Sequence, residues 1–489
     1  MKQNQKTHVN EHINEQVNSD INSANGNERK LFNIEVFGCQ MNEHDAEVLR
    51  GMLSQMGYEE TSSEEDADVL LLNTCAVREK AEHKVLGKIG MLKELKEKKP
   101  NMVIGICGCM VQQKWMADKI KRDFHHIDLV FGTHNLHYFP HLFRQVVEEG
   151  QRVFDVWESE SGIVEELPKQ RTSGIKAWVV ITYGCNNFCS YCIVPYVRGR
   201  ERSRKVEDIE KEVLDLAKKG FKEVTLLGQN VDSYGKDMGL KGGFTQLLKR
   251  LDVIDGIERI RFMTSHPRDF DEELIEFISN SKRVCEHIHL PIQAGSNNIL
   301  KRMNRGYTRE EYMELIEKIR EYIPHVSVTT DIMVGFPGES EEDFNDTLDV
   351  VRRVRFDNAY TFVYSKRKGT PAAEMEAQVD EKVKKERIQK LIDEQQKISL
   401  EINKQMMGKT YEILVEGTSK NDSSVLTGRT RTNKIVHFRP ENTDLADNSE
   451  ALYSEDLVGK LLNVKITEAK SYTIFGTLQD GLPGGNKIG

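Results

Sequence analysis

The feature that most constrains this chain is a set of three cysteines in one short loop. Cys185, Cys189 and Cys192 have the spacing C-x3-C-x2-C, and the apolar run 177–181 before them is typical of a buried strand. Structural zinc usually takes four protein ligands, and no fourth Cys or His follows closely in the sequence. Three thiolates suit a [4Fe-4S] cluster that leaves one iron open to a small molecule. The alternatives are a zinc site and three unrelated buried thiols.

A C-x3-C-x2-C loop after a strand resembles the radical S-adenosylmethionine (SAM) superfamily. This resemblance implies that the amino and carboxylate groups of SAM bind the open iron, and that an electron from the cluster cleaves SAM to release a 5'-deoxyadenosyl radical. The cofactor then carries the difficult chemistry, while the protein supplies position and a dry site. The cysteines are accordingly expected to be ligands rather than nucleophiles, and no side chain is assigned as a catalytic residue.

Composition and charge limit the other classes of function. A chain of 489 residues predicts two or three domains. No apolar run reaches the roughly eighteen residues of a membrane span, so we expect no membrane contact. The formal net charge of −9 argues against a global basic field, so any RNA contact must be a local patch. Eight cysteines without a secretory signal indicate a reducing, cytoplasmic setting.

The order of strand and helix patterns predicts an α/β multidomain protein. Residues 1–29 are polar and are expected to form a disordered tail. Residues 30–148 alternate strands and helices, which predicts a parallel sheet domain, and residues 149–170 are expected to be an acidic linker. Residues 171–401 contain six strand-helix units that fit a partial (β/α)6 barrel. Residues 404–480 contain short alternating strands that predict a small β-barrel.

A second set of cysteines is spread through the N-terminal domain. Cys39, Cys75 and Cys109 each come just after a predicted strand. Because the carboxyl ends of parallel strands share one edge of a sheet, these three thiols are expected to meet and to hold a second cluster with one open iron. The alternative is that they are separate buried thiols. Cys107 is an alternative to Cys109, although it falls at the strand end rather than in the loop.

Polar residues after the barrel strands are further candidates. Gly228, Gln229 and Asn230 follow the second strand, and they form either an ordinary turn or a stretch of backbone that meets the methionine end of SAM. His266 follows the third strand, and a lone histidine is more often structural than catalytic. The basic run 198–205 is either a solvated strand edge or a phosphate contact.

A local basic patch lies in the C-terminal domain. Arg429, Arg431 and Lys434 come without an intervening acid. Clustered cations of this kind are typical of an RNA-binding surface. Acidic residues later in the domain offset the patch, so the charge pattern favours RNA contact only weakly.

Five further motifs extend the resemblance to the methylthiotransferases of the radical SAM superfamily. The resemblance covers residues from about 30 to 480 and implies an N-terminal methylthiotransferase domain, a radical SAM core and a TRAM domain, which in this family is held to bind RNA. It also favours Cys109 over Cys107. The motifs are Phe37-Gly38-Cys39-Gln40-Met41-Asn42, Asn73-Thr74-Cys75-Ala76-Val77-Arg78, Gly108-Cys109-Met110, the stretch Pro195-Tyr196-Val197-Arg198-Gly199-Arg200-Glu201-Arg202-Ser203-Arg204, and Leu227-Gly228-Gln229-Asn230-Val231.

The motif around Cys39 is similar to that of family members that act on tRNA carrying N6-isopentenyladenosine at position 37. The resemblance implies two [4Fe-4S] clusters, SAM, a tRNA substrate and an electron donor protein, with the sulfur source left open. Methylthiotransferases that act on threonylcarbamoyladenosine, or on an aspartate of a ribosomal protein, remain alternatives. A non-catalytic RNA-binding protein with one structural metal is a more distant alternative.

Overall fold

The structure is a computed structural model that describes residues 29–76, 79–160, 162–439 and 456–479, without the side chains at 79–81. The predicted tail, residues 1–29, lies outside the described residues apart from Arg29. The chain divides into two compact units. The first contains residues up to Thr172 together with Tyr196–Arg198, and the second contains Ser173–Pro195 and the chain from Gly199 onward.

The first unit is built on a parallel sheet of six strands. The strand order is β2-β1-β3-β4-β5-β6, and every neighbouring pair is parallel. The central strands β3 and β4 are buried along their whole length, as expected for a parallel sheet covered on both faces. The strands are β1 (Lys30–Val36), β2 (Tyr58–Glu60), β3 (Val69–Thr74), β4 (Val103–Gly108), β5 (Leu129–Phe131) and β6 (Val153–Asp155).

Helices cover both faces of this sheet, and two separate apolar clusters pack against it. The first helix is buried around nearly its whole circumference, including the charged side chains of Asp45 and Glu47. Arg171, in the segment that leads out of the unit, pairs with Glu47 at 2.5 Å and so keeps that carboxylate from being buried alone. The helices are α1 (Gln40–Gln55), α2 (Glu79–Lys98), α3 (Cys109–Gln112), α4 (Lys114–Asp123) and α5 (Phe139–Glu149).

The predicted linker over 149–170 is wrong in its first part. Val153–Asp155 forms β6 and pairs with β5 at the edge of the sheet. Strand β2 likewise did not stand out in the sequence. Each of these strands has only three residues, which is too short to show the alternation that marks a strand. Sheet pairing rather than local pattern therefore decides their conformation.

The second unit begins with the predicted (β/α)6 barrel. Two parallel three-stranded sheets, β11-β10-β7 and β12-β13-β14, are joined by a single bridge between Ile260 and Val284. Alternate residues such as Val328 and Ile332 pack against the helices, so the intervening residues, such as Thr329, line the inner face of the barrel. The strands are β7 (Lys176–Val180), β8 (Thr182–Tyr183), β9 (Arg202–Ser203), β10 (Glu223–Leu227), β11 (Arg259–Phe262), β12 (His287–His289), β13 (Ser327–Val334) and β14 (Asn358–Val363).

The barrel helices start with clear capping signals. Thr308 and Ser340 each form a capping box with the acidic residue three positions later, Glu311 and Asp343, which satisfies two backbone donors at each helix start. In this part of the chain the helices are α6 (Val194–Val197), α7 (Val206–Lys218), α8 (Gly243–Leu251), α9 (Glu272–Asn280), α10 (Asn297–Arg302), α11 (Arg309–Tyr322), α12 (Glu341–Val354) and α13 (Glu381–Lys404).

The C-terminal domain is a closed five-stranded barrel with the order β15-β16-β17-β19-β18. Its core is apolar and includes Ile413, Val436 and Val464. The α/β fold class with a parallel sheet domain, a (β/α)6 barrel and a small β-barrel is therefore confirmed. The strands are β15 (Thr410–Thr418), β16 (Leu426–Arg429), β17 (Ile435–Arg439), β18 (Leu461–Ala469) and β19 (Ile474–Leu478).

The small barrel packs on the amino ends of the (β/α)6 strands through buried arginines. Arg259, the first residue of β11, donates to the carbonyl of Arg429 at 2.6 Å and pairs with Glu412 at 3.0 Å. Arg261 donates to the carbonyls of Thr430 and Arg431 at 2.8 and 2.7 Å. This contact lies at the opposite end of the strands from their carboxyl ends, where ligands bind in such barrels.

None of the helices that the structure describes combines the length and the apolar character that a membrane span requires.

Candidate metal centres

The loop of the C-x3-C-x2-C motif is held open by tight backbone turns. Gly184 has φ +73°, and a Cβ there would lie 2.1 Å from the carbonyl oxygen of Arg200, so only glycine fits. The N–H of Cys185 donates to the carbonyl of Gly199 at 3.2 Å, and the N–H of Cys192 donates to the carbonyl of Cys189 at 2.9 Å. These bonds bend the loop so that the three thiols lie on one short turn.

A second segment of the barrel supports this loop from the side. Ser190 donates from its N–H to the carbonyl of Met303 at 3.0 Å and from its hydroxyl to the carbonyl of Arg302 at 2.8 Å. The Nη1 atom of Arg305 lies 3.4 Å from Sγ of Cys189. The guanidinium of Arg200 lies 4.3 Å from the ring centre of Phe188, a cation–π contact. The loop is thus fixed before any ligand binds.

Burial keeps the thiols of Cys185 and Cys192 protonated in the free protein. Desolvation raises the pKa of Cys185 to about 11, with a further contribution from Cys189. Desolvation also raises the pKa of Cys192 to about 12, again with contributions from Cys189 and Cys185. Since metal ligands must be deprotonated thiolates, binding of a metal centre here has to displace these protons.

The second cysteine set lies at the carboxyl edge of the N-terminal sheet, as the sequence predicted. Cys39 directly precedes α1, Cys75 directly follows β3, and Cys109 is the first residue of α3 after β4. Gly38 has φ +143°, and a Cβ there would lie 2.7 Å from Cβ of Cys75. Glycine at this position therefore allows the two cysteine segments to approach each other.

Asn42 joins the segments that carry Cys39 and Cys75. Its side-chain amide donates to the backbone carbonyl of Thr74 at 2.9 Å, and its backbone carbonyl accepts from the side-chain amide of Asn73 at 2.8 Å. The side chain is fully buried. The asparagine that ends the Gly-Cys-Gln-Met-Asn motif is therefore a structural tie between two cysteine loops, which the sequence reading did not identify.

Electrostatic coupling confirms that the second set of thiols lies together. Burial raises the pKa of Cys109 to about 12, the guanidinium of Arg198 opposes this shift, and Cys75 and Cys39 add to it. Cys107 instead lies inside β4 and packs in the apolar cluster on one face of the sheet. The structure thus favours Cys109 over Cys107 as the third member of the set.

The arrangement of the thiols gives no support for a site that binds a single metal ion. Within the described residues, no three Cys, His, Asp or Glu side chains converge on a point where one metal ion could bind. In an iron-sulfur cluster each thiolate binds a different iron, so the three sulfurs do not need to converge. Both trios fit this requirement, and metal binding by the six cysteines stays a prediction.

Arg198 is buried beside the N-terminal trio. Its Nε lies 3.2 Å from Sγ of Cys109, and its Nη2 lies 2.8 Å from Oδ2 of Asp45 and 3.1 Å from Oδ1 of Asn42. The sequence suggested a solvated edge or a phosphate contact for this basic run, and the solvated edge is wrong for Arg198. Arg204 is also buried and pairs with Glu212 at 2.7 Å.

The Gly228–Asn230 turn contains a buried polar atom without a partner. A Cβ at Gly228 would lie 2.5 Å from Cγ2 of Thr182, so the backbone runs close to the β8 segment. The amide nitrogen of Asn230 donates to Asp269 at 2.7 Å, whereas its buried Oδ1 has no hydrogen-bond partner. An orphaned acceptor of this kind suits a ligand with an N–H or ammonium donor.

Carboxylates that the sequence reading missed surround this turn. Desolvation raises the pKa of Asp232 to about 8, although Ser265 and the N–H of His266 donate to its oxygens at 3.0 and 2.8 Å. Desolvation also raises the pKa of Glu201 to about 6. In the sequence, Glu201 and Asp232 were marked only by their position in or near the basic run 198–205 and the Gly228–Asn230 turn. Asp232 lies beside the carboxyl ends of β10 and β11, since it follows β10 and accepts from residues that follow β11.

His266 is buried at the carboxyl end of β11. Desolvation and the nearby Arg305 lower its pKa to about 2, so the ring is neutral at physiological pH. Its ring packs edge-on against Tyr307 with centroids 5.6 Å apart.

The predicted RNA-facing cations are engaged within the protein. Arg431 binds Glu286 at 2.7 Å and the carbonyls of Lys282 and Val284, both at 2.8 Å. Lys434 pairs with Asp357 at 2.6 Å.

Arg429 pairs with Glu416 at 3.0 Å. Its backbone carbonyl accepts from Arg259, one of the arginines between the two barrels. The contacts of all three cations favour a role in docking and shaping the small barrel, and RNA binding by these side chains stays a prediction.

Three family profiles match successive parts of the chain. Residues 31–132 match the Uncharacterized protein family UPF0004, residues 179–351 match the Radical SAM superfamily, and residues 404–478 match the TRAM domain. The second match spans the C-x3-C-x2-C loop, and the first spans Cys39, Cys75 and Cys109. A radical SAM match implies SAM and a [4Fe-4S] cluster.

A solved structure and two curated proteins extend these matches. The radical SAM methyltransferase TsrM from Kitasatospora setae, solved with cobalamin and a [4Fe-4S] cluster, covers 79% of this chain and 77% of its own at TM-score 0.51 and 14% identity, which supports the fold alone. The tRNA-2-methylthio-N(6)-dimethylallyladenosine synthase of Natranaerobius thermophilus is 58% identical over 93% of this chain and 97% of its own length. The protein of the same name from Thermoanaerobacter pseudethanolicus is 57% identical over 93% and 94%. With this identity over nearly the whole length, the chain belongs to the tRNA methylthiotransferase family of radical SAM proteins.

Proposed function

We propose that this protein transfers a methylthio group to C2 of N6-isopentenyladenosine at position 37 of tRNA. The observation that carries the proposal is its 58% identity to a synthase of that product over 97% of the synthase's length. The two separate cysteine trios support it, because sulfur insertion by a radical route needs one centre for the radical and one for the sulfur.

The chemistry of the target atom supports a radical route. The C2–H bond of adenine is unactivated, so no side-chain base removes this hydrogen as a proton at a useful rate. We assign the six cysteines as ligands rather than nucleophiles, and their burial supports this, since four are buried and Cys39 and Cys192 are partly buried. When bound on Cys185, Cys189 and Cys192, the cluster supplies the electron that cleaves SAM.

The chain's own residues bind and orient SAM. The unpaired Oδ1 of Asn230 is placed to accept a hydrogen bond from the SAM ammonium. Glu201 adds negative charge near the same ligand, because its pKa of about 6 lies below physiological pH, whereas Asp232, with a pKa raised to about 8, stays protonated. Gly228 lets the backbone pass close to Thr182, and we assign the backbone of Gly228 and Gln229 to the methionine end of SAM. Burial of these groups keeps water from the site.

The N-terminal trio is assigned to a second [4Fe-4S] cluster. Cys39, Cys75 and Cys109 provide three thiolates at the carboxyl edge of the sheet, and the match to the UPF0004 family over residues 31–132 supports a separate cofactor domain. We assign to this site the sulfur that is transferred. We also include an electron donor protein in the proposal, because each reductive cleavage of SAM consumes one electron.

The test is mass spectrometry of tRNA nucleosides from a strain that lacks this gene. We expect 2-methylthio-N6-isopentenyladenosine to disappear and N6-isopentenyladenosine to accumulate. Complementation with the parental chain should restore the product, whereas complementation with the Cys39→Ala chain should not.

The same strain distinguishes the alternatives. Loss of 2-methylthio-threonylcarbamoyladenosine, or of a methylthiolated aspartate in a ribosomal protein, with the isopentenylated product unchanged, would contradict the proposal. Iron and sulfide analysis after anaerobic reconstitution separates the enzyme from a non-catalytic RNA-binding protein, because the enzyme should bind two clusters and the alternative one metal ion.

A further inference from the structure

Each cysteine trio has a buried arginine that donates to one of its sulfurs. The Nε atom of Arg198 lies 3.2 Å from Sγ of Cys109, and the Nη1 atom of Arg305 lies 3.4 Å from Sγ of Cys189. The two arginines are only 5% and 4% exposed. Burying a guanidinium is costly unless its charge and donors are used. The same arrangement occurs at two sites in separate units, which indicates a common purpose.

The two arginines differ in how their charge is balanced. Arg198 also donates to Oδ2 of Asp45 at 2.8 Å, so that trio faces a neutral ion pair. Arg305 directs its other donors to the hydroxyl of Tyr307 at 3.0 Å and to the carbonyl of Pro291 at 2.8 Å. Within the part of the chain that the structure describes, no carboxylate pairs with Arg305. The charge of Arg305 is therefore not cancelled by a paired carboxylate, although Glu201 acts on Cys185 of the same trio without contacting the guanidinium.

We propose that Arg305 and Arg198 are positioning residues that give the two iron-sulfur sites different reduction potentials. Uptake of one electron adds one negative charge to a cluster, without making or breaking a bond. A cation in a low-dielectric site stabilises that added charge, and a hydrogen bond to a ligand sulfur acts in the same direction. The unbalanced Arg305 makes the cluster on Cys185, Cys189 and Cys192 easier to reduce, while Asp45 cancels most of this effect at the N-terminal cluster.

This inference rests on the proposed function, because both trios must hold clusters. It assigns the easier reduction to the site at which SAM cleavage consumes an electron. The N-terminal site is kept harder to reduce, so that an electron from the donor protein is held where it is used. The two arginines would thus direct electrons to the cluster at which SAM is cleaved, although both clusters are of the same type.

The test is a redox titration with dithionite and mediators, followed by electron paramagnetic resonance, on full-length chains that keep one trio. Alanine at Cys39, Cys75 and Cys109 leaves the SAM cluster alone. In that background Arg305→Gln should reduce the equilibrium constant for cluster reduction at least tenfold, which is about 59 mV for one electron. Arg387→Gln is the matched control, since Arg387 is equally buried but pairs with Glu339 rather than a thiol, and it should leave the potential unchanged.

The N-terminal cluster provides a second test, in which the reduction potential is expected to rise rather than fall. In chains with alanine at Cys185, Cys189 and Cys192, Asp45→Asn leaves the charge of Arg198 unbalanced. The reduction potential should therefore rise, and the equilibrium constant for cluster reduction should increase at least tenfold. No change, or a fall, would overturn the assignment of Asp45 as the balancing charge.

A conservative variant covers the case in which Arg305→Gln binds no cluster. Arg305→Lys keeps the charge and should bind iron, with a potential between those of the parental and Gln chains. A Lys chain that binds iron but has the potential of the Gln chain would overturn the charge argument. If neither variant binds iron while both melt like the parental protein, Arg305 serves assembly only and the proposal fails. Failure of the proposed function would be seen separately in the tRNA nucleosides, which these potentials do not measure.

Discussion

Gly38 and Cys75 approach so closely that a Cβ on Gly38 would lie 2.7 Å from Cβ of Cys75. The contact joins the loop after β1 to the loop after β3, at the edge where the N-terminal trio collects. A side chain at Gly38 would also meet Asn42, whose Nδ2 lies 3.2 Å from the same point. The geometry around Cys39 and Cys75 thus depends on Gly38, a residue that has no side chain.

We therefore expect Gly38→Ala to reduce the iron content of the reconstituted protein by about half. The Ala Cβ would push the Cys39 and Cys75 segments apart, and φ +143° is unfavourable for alanine. Iron and sulfide analysis measures the loss. Gly87→Ala in α2 is the control, because nothing lies within 4 Å of its added Cβ. Full iron content in the Gly38→Ala protein would contradict a shared site for the two cysteines.

The two cysteine trios should be separable by function. Cys185→Ala should abolish SAM cleavage, since it removes a ligand of the cluster that supplies the electron. Cys39→Ala should leave SAM cleavage but stop methylthiolation of tRNA. Measurement of 5'-deoxyadenosine and of the tRNA product distinguishes the two variants. Cys285→Ala, at a core thiol buried beside β11, is the control and should retain both activities. Full methylthiolation by the Cys39→Ala protein would refute this division.

Arg261 should be required for stable packing of the small barrel on the (β/α)6 barrel. Its side chain pairs with buried Glu223 at 2.8 Å and donates to the carbonyls of Thr430 and Arg431. Arg261→Met leaves the carboxylate of Glu223 buried without a partner, which costs about 3–5 kcal/mol. Urea denaturation measures the free energy of unfolding.

The double variant Arg261→Met with Glu223→Gln should recover part of that loss, because the buried charge is then removed. If the single variant unfolds at the same urea concentration as the parental protein, the arginine does not stabilise this interface.

Asp232 should make the protein less stable as pH rises. Its pKa is raised from 3.8 to about 8 by burial, so the folded state holds a proton that the unfolded state has lost between these values. Stability falls with pH wherever the folded state binds more protons. The free energy of unfolding contributed by this group should therefore decline from about pH 4 to about pH 8.

Asp232→Asn should flatten that decline. Denaturation curves at several pH values measure the slope, and Asp255→Asn serves as the exposed control. A slope that is the same in the Asp232→Asn protein and the parental protein would show that this carboxylate ionises normally in the folded state.

Local sequence patterns were sufficient to predict the longer strands and helices. The strand β10 (Glu223–Leu227) and the helix α13 (Glu381–Lys404) belong to the predicted strand-helix units and their continuation. Both are long enough for the hydrophobic period to be read without a partner. The edge strands β2 and β6 were missed, because three residues show no period and gain their conformation from pairing with the sheet.

The sequence by itself determined which six cysteines are candidates for the two centres, because the cysteine spacing and the positions of cysteines after strands depend only on residue type and chain order. It could not determine that Arg198 lies beside Cys109, 89 residues earlier in the chain, or that Arg305 lies beside Cys189, 116 residues earlier. It also took Arg431 for a surface cation, although this side chain binds Glu286. Only the tertiary structure decides such pairings, because the partner of a buried charge is selected by packing over long separations and leaves no periodic signal in the sequence.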